Sequence, residues 1–266
     1  MIQDVEDQGT KDPGELLHRL QDAERIRLFL DYDGTLAEFA PTPDDILPDE
    51  ALIDLLRRLS KDPRIRVAVV SGRRLSHIIQ LIPLEGILLA GTYGIEMQLP
   101  EGRQVEQARY DEIRPLLEEI KPQWKALLEG REGFYLEDKG WSLGIHAGRA
   151  ADDEASEVLE QAVNILEDQP LDEYRILGGN KFLEIGPKLA NKGETVRYLV
   201  DSFPWPGAEL VFIGDDDKDE DAFAVIHERG GTAILVSREP RPTEADYRLG
   251  SPAEVRQWLE GLLVER

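Results

Sequence analysis

Cysteine is absent from the 266-residue chain, which excludes disulfides, zinc–thiolate sites, iron–sulfur clusters and cysteine nucleophiles. Positive charge is in deficit: 31 Lys and Arg residues stand against 54 Asp and Glu, a net charge of −23. Such a surface repels phosphate backbones and anionic lipid, so neither nucleic acid nor a membrane is an expected partner. Lysine is scarce within that small basic set, at nine residues, so arginine dominates. An acidic, lysine-poor surface also suits high salt, where screening weakens self-repulsion. No apolar run approaches the roughly 18 residues needed to span a bilayer. The opening residues, MIQDVEDQGTKDPGE, read as neither a signal nor a transit peptide. The expected compartment is the cytoplasm, which the lack of cysteine permits.

What is present is a soluble globular composition, 41% hydrophobic and 32% charged, long enough for a real core. Short apolar runs at 26–30, 65–70, 86–90, 209–213 and 232–236 read as strands buried on both faces. Between them lie helical spacings: Leu52, Leu55, Leu56 and Leu59; Leu75, Ile78, Ile79 and Ile82; Val196, Leu199, Val200 and Phe203. Alternating strand and helix predicts an α/β fold with a parallel sheet and helices on both sides. Residues 100–185 break the rhythm. A helix over 111–129, which Pro122 should kink or divide, precedes a hairpin of 134–137 and 141–146. A helix over 152–167 precedes a second hairpin, 173–177 and 182–185, turning at Gly178-Gly179-Asn180. The expected organisation is a core of 1–99 and 186–266 interrupted by an α+β insert of 100–185.

Four segments hold chemistry. Asp31 and Asp33 follow the first strand, where parallel sheets place their ligand sites. Two carboxylates so close require a compensating cation or a shared proton, and magnesium is the simplest solution. Ser71 and Gly72 follow the second strand and could hold a phosphate oxygen at a helix start, with Arg73 assisting. Lys192 stands before a helix, where a cation is disfavoured unless something anionic is close. Gly214, Asp215, Asp216 and Asp217, then Asp219, Glu220 and Asp221, follow a buried strand directly. Each segment alone could be an ordinary turn or a solvated run. Their joint order is what carries the reading.

Strand-DxDGT, strand-SGR, insert, Lys, strand-GDDxxDE resembles the haloacid dehalogenase superfamily of phosphohydrolases. LEDKGWSLGIHAGR, GTYGIE, KFLEIGP and GDDDKDEDAF are similar to stretches of the trehalose-6-phosphate phosphatases, and the resemblance spans residues 26–250. Three positions depart from that pattern. Tyr93 stands where the family usually has His, Gly148 interrupts the spacing after His146, and Lys218 replaces a Thr. These departures bear on the sugar rather than on the phosphatase chemistry.

The resemblance implies a Rossmann-like core with an inserted α/β cap. It implies hydrolysis of a disaccharide phosphate through an aspartyl-phosphate, with Asp31 as nucleophile and Asp33 as acid and base. The acid role asks for a raised pKa from neighbouring carboxylates. It implies Mg2+ on Asp31, the backbone carbonyl of Asp33 and Asp215, with Asp216 and Asp219 beside it or as alternative ligands. Ser71, Gly72 and Lys192 would hold phosphate, and Arg73, Glu137, Lys139, His146 and Glu184 would meet the substrate. The partner is a small-molecule sugar phosphate, and the protein is expected as a monomer or small homo-oligomer. Competing readings are a glycosyl-3-phosphoglycerate or sucrose-type phosphatase, a phosphosugar mutase, a phosphorylatable signalling receiver, and an inactive regulatory subunit of a sugar synthase complex. A receiver has no need of a leaving-group acid such as Asp33.

Overall fold

The computed structural model describes residues 11–39, 47–167, 169–179 and 181–263. Asn180, in the second expected hairpin turn, and the acidic leader before Lys11 lie outside the described residues. The chain divides into two units, Met1–Val105 with Asn191–Arg266, and Glu106–Ala190.

The first unit is built on β1 (Ile26–Leu30), β2 (Ile65–Val70), β3 (Leu88–Gly91), β4 (Glu96–Gln98), β5 (Gln104–Glu106), β10 (Glu209–Gly214), β11 (Thr232–Val236) and β12 (Tyr247–Leu249). They order as β12-β11-β10-β1-β2-β3-β4-β5. Pairing is parallel from β12 to β3 and antiparallel between β3 and β4. The sheet buries both faces, and its period-2 alternation separates two cores. Leu28, Leu30, Val67, Val69, Val211 and Ile213 face one core, with α1 (Pro13–Gln21), α2 (Glu50–Lys61), α3 (Leu75–Leu81) and α8 (Pro252–Gly261) packed there. Phe29, Ala68, Val70 and Phe212 face the other, against α6 (Lys192–Ser202) and α7 (Glu220–Glu228). The fold is thus α/β with helices on both faces of a mostly parallel sheet.

The helix α1 lay beyond the pattern read from sequence. Asp12 caps it, Pro13 occupies its first turn, and Leu16 and Leu20 enter the core. Arg27 is buried in a strand of otherwise apolar residues. Its guanidinium donates to the carbonyls of Leu199 and Phe203 at the end of α6, at 2.8 and 2.9 Å. Phe203 caps the helix, and its N–H also donates to the Leu199 carbonyl at 3.2 Å, so the guanidinium adds to that cap and serves the Phe203 carbonyl beyond it.

The second unit holds β6 (Tyr135–Asp138), β7 (Leu143–His146), β8 (Tyr174–Gly179) and β9 (Phe182–Pro187) as an antiparallel sheet ordered β6-β7-β9-β8. The helices α4 (Tyr110–Leu128) and α5 (Asp152–Asn164) pack together, and Trp124 Nε1 donates to the Ala162 carbonyl at 3.1 Å. The expected division at Pro122 does not occur, and α4 runs unbroken through Pro115 and Pro122. Both prolines are exposed, as are Asp111 and Glu118 four residues before them. Water can serve the carbonyls that lose a donor. Ile113, Leu117, Ile120 and Trp124 anchor the opposite face. No helix among the described residues is long and apolar enough to cross a membrane.

Candidate active site

Strand register brings the chemistry together. Leu30 pairs with Ile213 on one side and Val69 on the other. The chain beyond each strand therefore emerges at the same edge, and the Asp31 N–H donates to the Ile213 carbonyl at 2.9 Å. Asp31, Ser71 and Asp215 thus stand at the carboxyl ends of adjacent strands, where a parallel sheet leaves a crevice.

Lys192 opens α6, and its Nζ donates to Asp31 Oδ1 and to Asp219 Oδ1, at 2.6 Å each. All three side chains are buried. Asn191 caps α6, accepting from the Glu194 N–H at 3.1 Å. Asp219 Oδ2 accepts from the backbone N–H groups of Asp215 and Asp216, at 3.0 and 2.9 Å. This folds the acidic run into a tight turn. Thr35 Oγ1 donates to Asp215 Oδ1 at 3.3 Å. Gly34 has φ +78° there, and a Cβ on it would collide with the Asp215 carboxylate. Glycine is needed for its conformation and for the close approach alike.

Oxygen atoms of Asp31, Asp215 and Asp219 lie within 4.8 Å of one another. Burial pushes the Asp31 carboxyl up to about 6, with Asp219 adding to the rise and Lys192 opposing it. Burial, then the charges of Asp31 and Asp219, pushes Asp215 up to about 9. For Lys192, burial favours the neutral amine, but the two aspartates outweigh it and hold the ammonium well above the usual lysine range. Three carboxylates share one ammonium, so the cluster is short of positive charge. A hard-oxygen donor set in that condition suits a divalent cation.

Of the carboxylates expected at the metal, Asp216 does not join this triad. Asp216 caps the 3-10 turn Asp217–Asp219, accepting from the Lys218 N–H at 3.3 Å. The Asp33 carboxylate takes two bonds from Arg73, from Nε and Nη2, at 2.7 Å each. A guanidinium, not a carboxylate, is the partner beside Asp33, so the carboxylate surroundings expected for an acid are not what the structure places there. Arg73 is correspondingly engaged inside the core unit. Ser71 is buried, and its Oγ accepts from the Arg73 N–H at 3.1 Å. Gly72 lies under the Tyr93 ring, since a Cβ there would come within 2.8 Å of it.

In the second unit, cross-strand pairing puts Glu137, Gly144 and Glu184 in one row and Tyr135, His146 and Phe182 in the next, on one face of the sheet. Lys139 Nζ donates to Glu184 Oε2 at 2.7 Å, and His146 Nε2 sits 2.9 Å from Glu137 Oε2. Glu184 is 2% exposed, so this lysine balances a fully buried carboxylate. Of the five residues expected to meet the substrate, the four in this unit form one polar cluster around Gly144. Gly148 lies past the end of β7, with open space beside it.

Some contributors had no role in the sequence reading. Thr35 was visible within the DYDGT stretch, and Asn191 within LANKG. Arg241 had no local signal, yet it pairs with Asp217 and donates to the Asp215 carbonyl at 3.1 Å.

A model of the trehalose-phosphatase family matches residues 29–253. This chain belongs to the trehalose-phosphatase family. It is a phosphoric monoester hydrolase of the haloacid dehalogenase superfamily. Trehalose 6-phosphate phosphatase RA3 of Zea mays is 32% identical over 90% of this chain and 70% of its own. The C-terminal domain of Candida albicans trehalose-6-phosphate phosphatase superposes with a TM-score of 0.84, at 24% identity, over 96% of this chain and 97% of its own. The C-terminal domain of the Candida albicans trehalose synthase regulatory protein shares the fold at 14% identity and a TM-score of 0.76, over 94% of this chain and 97% of its own.

Proposed function

We propose that this trehalose-phosphatase family member hydrolyses trehalose 6-phosphate to trehalose and phosphate, with Mg2+ held by Asp31, Asp215 and Asp219. The observation behind the metal is the triad of Asp31, Asp219 and the half-buried Asp215, three carboxylates with one ammonium that bonds two of them. Bound there, the ion would offset the charge that otherwise keeps an anionic nucleophile from an anionic phosphate.

The remaining roles follow from the chain's own groups. Asp31 attacks phosphorus, forming an Oδ–P bond as the P–O bond to the sugar breaks. Asp33 gives its proton to the departing sugar oxygen, then takes one from the water that cleaves the aspartyl-phosphate. Arg73 orients Asp33 throughout, since a protonated carboxyl can still accept one guanidinium bond through its other oxygen. Ser71, Gly72 and Lys192 hold the phosphate oxygens, and Lys192 stabilises charge gathering on them. Glu137, Lys139, His146 and Glu184 bind the sugar hydroxyls, offering charged acceptors and donors on a single face. The protein acts in the cytoplasm as a monomer or small homo-oligomer, without nucleic acid or membrane.

The test is phosphate release with Mg2+ across trehalose 6-phosphate, sucrose 6-phosphate, glucosyl- and mannosyl-3-phosphoglycerate and glucose 6-phosphate. A preference of about a hundredfold for trehalose 6-phosphate, equal to about 2.7 kcal/mol of transition-state binding, supports the assignment. Preference for another substrate moves the specificity to that compound and leaves the core chemistry standing. The regulatory reading is kept because a regulatory protein has the same fold. No release from any substrate, with a chelator changing nothing, would favour it. Asp31→Asn should abolish turnover with an unchanged circular dichroism spectrum, and retained activity would sink the nucleophile assignment.

A further inference from the structure

Thr92 and Tyr93 both adopt left-handed backbone conformations, with φ of +48° and +54°. Residues with a Cβ avoid this region, threonine especially, and such pairs persist only where surrounding contacts over-determine them. Both residues are buried, and the contacts are specific. The Thr92 N–H donates to the Arg73 carbonyl at 2.7 Å, and the Tyr93 N–H to the Ser71 carbonyl at 2.8 Å. Thr195 Oγ1, on α6, donates to the Tyr93 carbonyl at 2.6 Å. The Tyr93 ring covers Gly72 so closely that a Cβ there would stand 2.9 Å from the phenol oxygen. The Lys218 ammonium, between Asp215 and Asp219 in sequence, sits 6.0 Å from the centroid of the same ring. Lys218 is also 3.6 Å from Asp216 Oδ2.

Tyr93 therefore touches the Ser71–Gly72 turn, the helix that begins with Lys192, and the acidic loop. Tyr93 and Lys218 are also two of the three positions where the sequence departs from the pattern it resembles, and the structure sets them against each other. Neither substitution alone would create this contact. It needs an aromatic face and a cation.

We propose that Tyr93 and Lys218 act as one positioning pair, which holds the phosphate-binding Ser71–Gly72 turn at a fixed distance from the Asp215–Asp219 loop. This rests on the phosphate role proposed for Ser71 and Gly72. The pair sets how well the turn meets a phosphate group, so its loss weakens phosphate binding more than it slows the chemical step. Tyr93 supplies the rigid part, since its backbone is fixed at both ends. Lys218 supplies the tie across to the acidic loop.

The test is a double-mutant cycle of Tyr93→His, Lys218→Thr and the two combined, with Tyr93→Phe in parallel. The readouts are the Kd of inorganic phosphate by calorimetry in Mg2+, the KM and kcat for trehalose 6-phosphate, and the thermal midpoint. Lys218→Thr should weaken phosphate and raise KM by about threefold, the size of a partly exposed cation–aromatic contact, with kcat and the midpoint little changed. The same lysine substitution should have a much smaller effect in the Tyr93→His background, because imidazole is a poorer face for a cation than the phenol ring. Tyr93→Phe keeps the ring and should keep the dependence on Lys218, which preserves the test if the His variant does not fold. Equal effects of Lys218→Thr in both backgrounds, or an unchanged phosphate Kd in that single variant, would overturn the pair. A wild-type protein that binds phosphate in this pair-dependent way but does not hydrolyse trehalose 6-phosphate would support the pair and sink the substrate assignment.

Discussion

Replacing Lys192 by Met tests the central cluster most directly. The ammonium lies 2.6 Å from a carboxylate oxygen of Asp31 and of Asp219, and all three side chains are at most 6% exposed. At an effective dielectric of roughly 20, each contact is worth about 6 kcal/mol of gross attraction. Desolvation and repulsion among the acids consume most of that, and loss of one partner from a buried pair costs about 3–5 kcal/mol net. At about 2–4 °C per kcal/mol for a chain of this size, the thermal midpoint should fall by roughly 6–20 °C. The assay is thermal melting in chelator at pH 8 and at pH 5. The sign of the pH effect follows from the raised carboxyls. Asp31 and Asp215 are shifted up to about 6 and about 9, so the folded state binds more protons than the unfolded one. Their charged forms are the unfavourable ones, and stability falls as pH rises from about 4 through those values. At pH 5 both acids are largely neutral, so the penalty for losing Lys192 should shrink. Adding Asp219→Asn to Lys192→Met should recover part of the loss at pH 8. A midpoint within about 2 °C of wild type at pH 8 in chelator would refute the view that Lys192 neutralises the cluster.

Gly34 and Gly102 have similar left-handed φ values, +78° and +84°, but only Gly34 has atoms where a Cβ would go. Gly102→Ala should cost about 1–2 kcal/mol, the conformational term alone. Gly34→Ala should cost clearly more and lower activity, and equal denaturation midpoints would refute the close approach to Asp215. In the second unit, Arg114 donates to both oxygens of Asp138, at 2.7 and 2.8 Å. These bonds hold the Asp138 carboxyl well below the usual aspartate range against the opposing effect of burial, with Lys121 assisting. A depressed carboxyl stabilises the fold above its unfolded pKa and loses that contribution as pH falls through the folded value. Arg114→Met should therefore cost about 1.5–3 kcal/mol at pH 7, by urea unfolding, with the gap to wild type closing toward pH 2. A gap independent of pH would show that the loss lies in packing.

The parts of the site legible in the sequence were those tied to strand ends. Asp31, Ser71 and Asp215 each follow a short, mostly apolar strand, and parallel register does the rest. Lys192 was legible through its conflict with a helix start. The strand pairs of the insert were legible from short runs around Gly-containing turns, whereas the shared face of Glu137, His146 and Glu184 comes from the pairing of β7 with β9, which joins the two hairpins. Other features depend on partners far apart in the chain. The bond between Arg73 and Asp33 spans 40 residues, and no spacing rule reports it. Arg241 reaches the acidic loop from 26 residues away. The left-handed Thr92 and Tyr93 were hidden because neither residue type favours that conformation, so only the tertiary contacts explain it. Pro122 misled in the other direction, since the exposed side of an anchored helix tolerates a missing donor.

The charge of the whole chain poses a problem that the site resolves locally. With a net charge of −23, the protein must admit an anionic phosphate to an acidic crevice. The cations near the acidic loops do not form a bare positive surface. Lys192 is held by Asp31 and Asp219, Arg73 by Asp33, and Arg241 by Asp217 and Glu220. Lys218 lies against Asp216. These groups neutralise neighbouring acids before any ligand arrives, and the Asp31–Asp215–Asp219 triad remains short of positive charge. Phosphate affinity should therefore depend on a divalent cation being present first, not on the protein's own cations alone. Inorganic phosphate titrated by calorimetry into chelated protein should bind weakly, and about 10 mM MgCl2 should tighten it at least tenfold, or about 1.4 kcal/mol. By linkage, phosphate should tighten Mg2+ by the same factor. The enhancement should be larger at pH 8 than at pH 5, because metal binding must displace protons from Asp31 and Asp215. Equal phosphate affinity with and without the cation would mean that Lys192 and Arg73 leave their aspartates to meet the anion, and that the triad serves the fold rather than a metal.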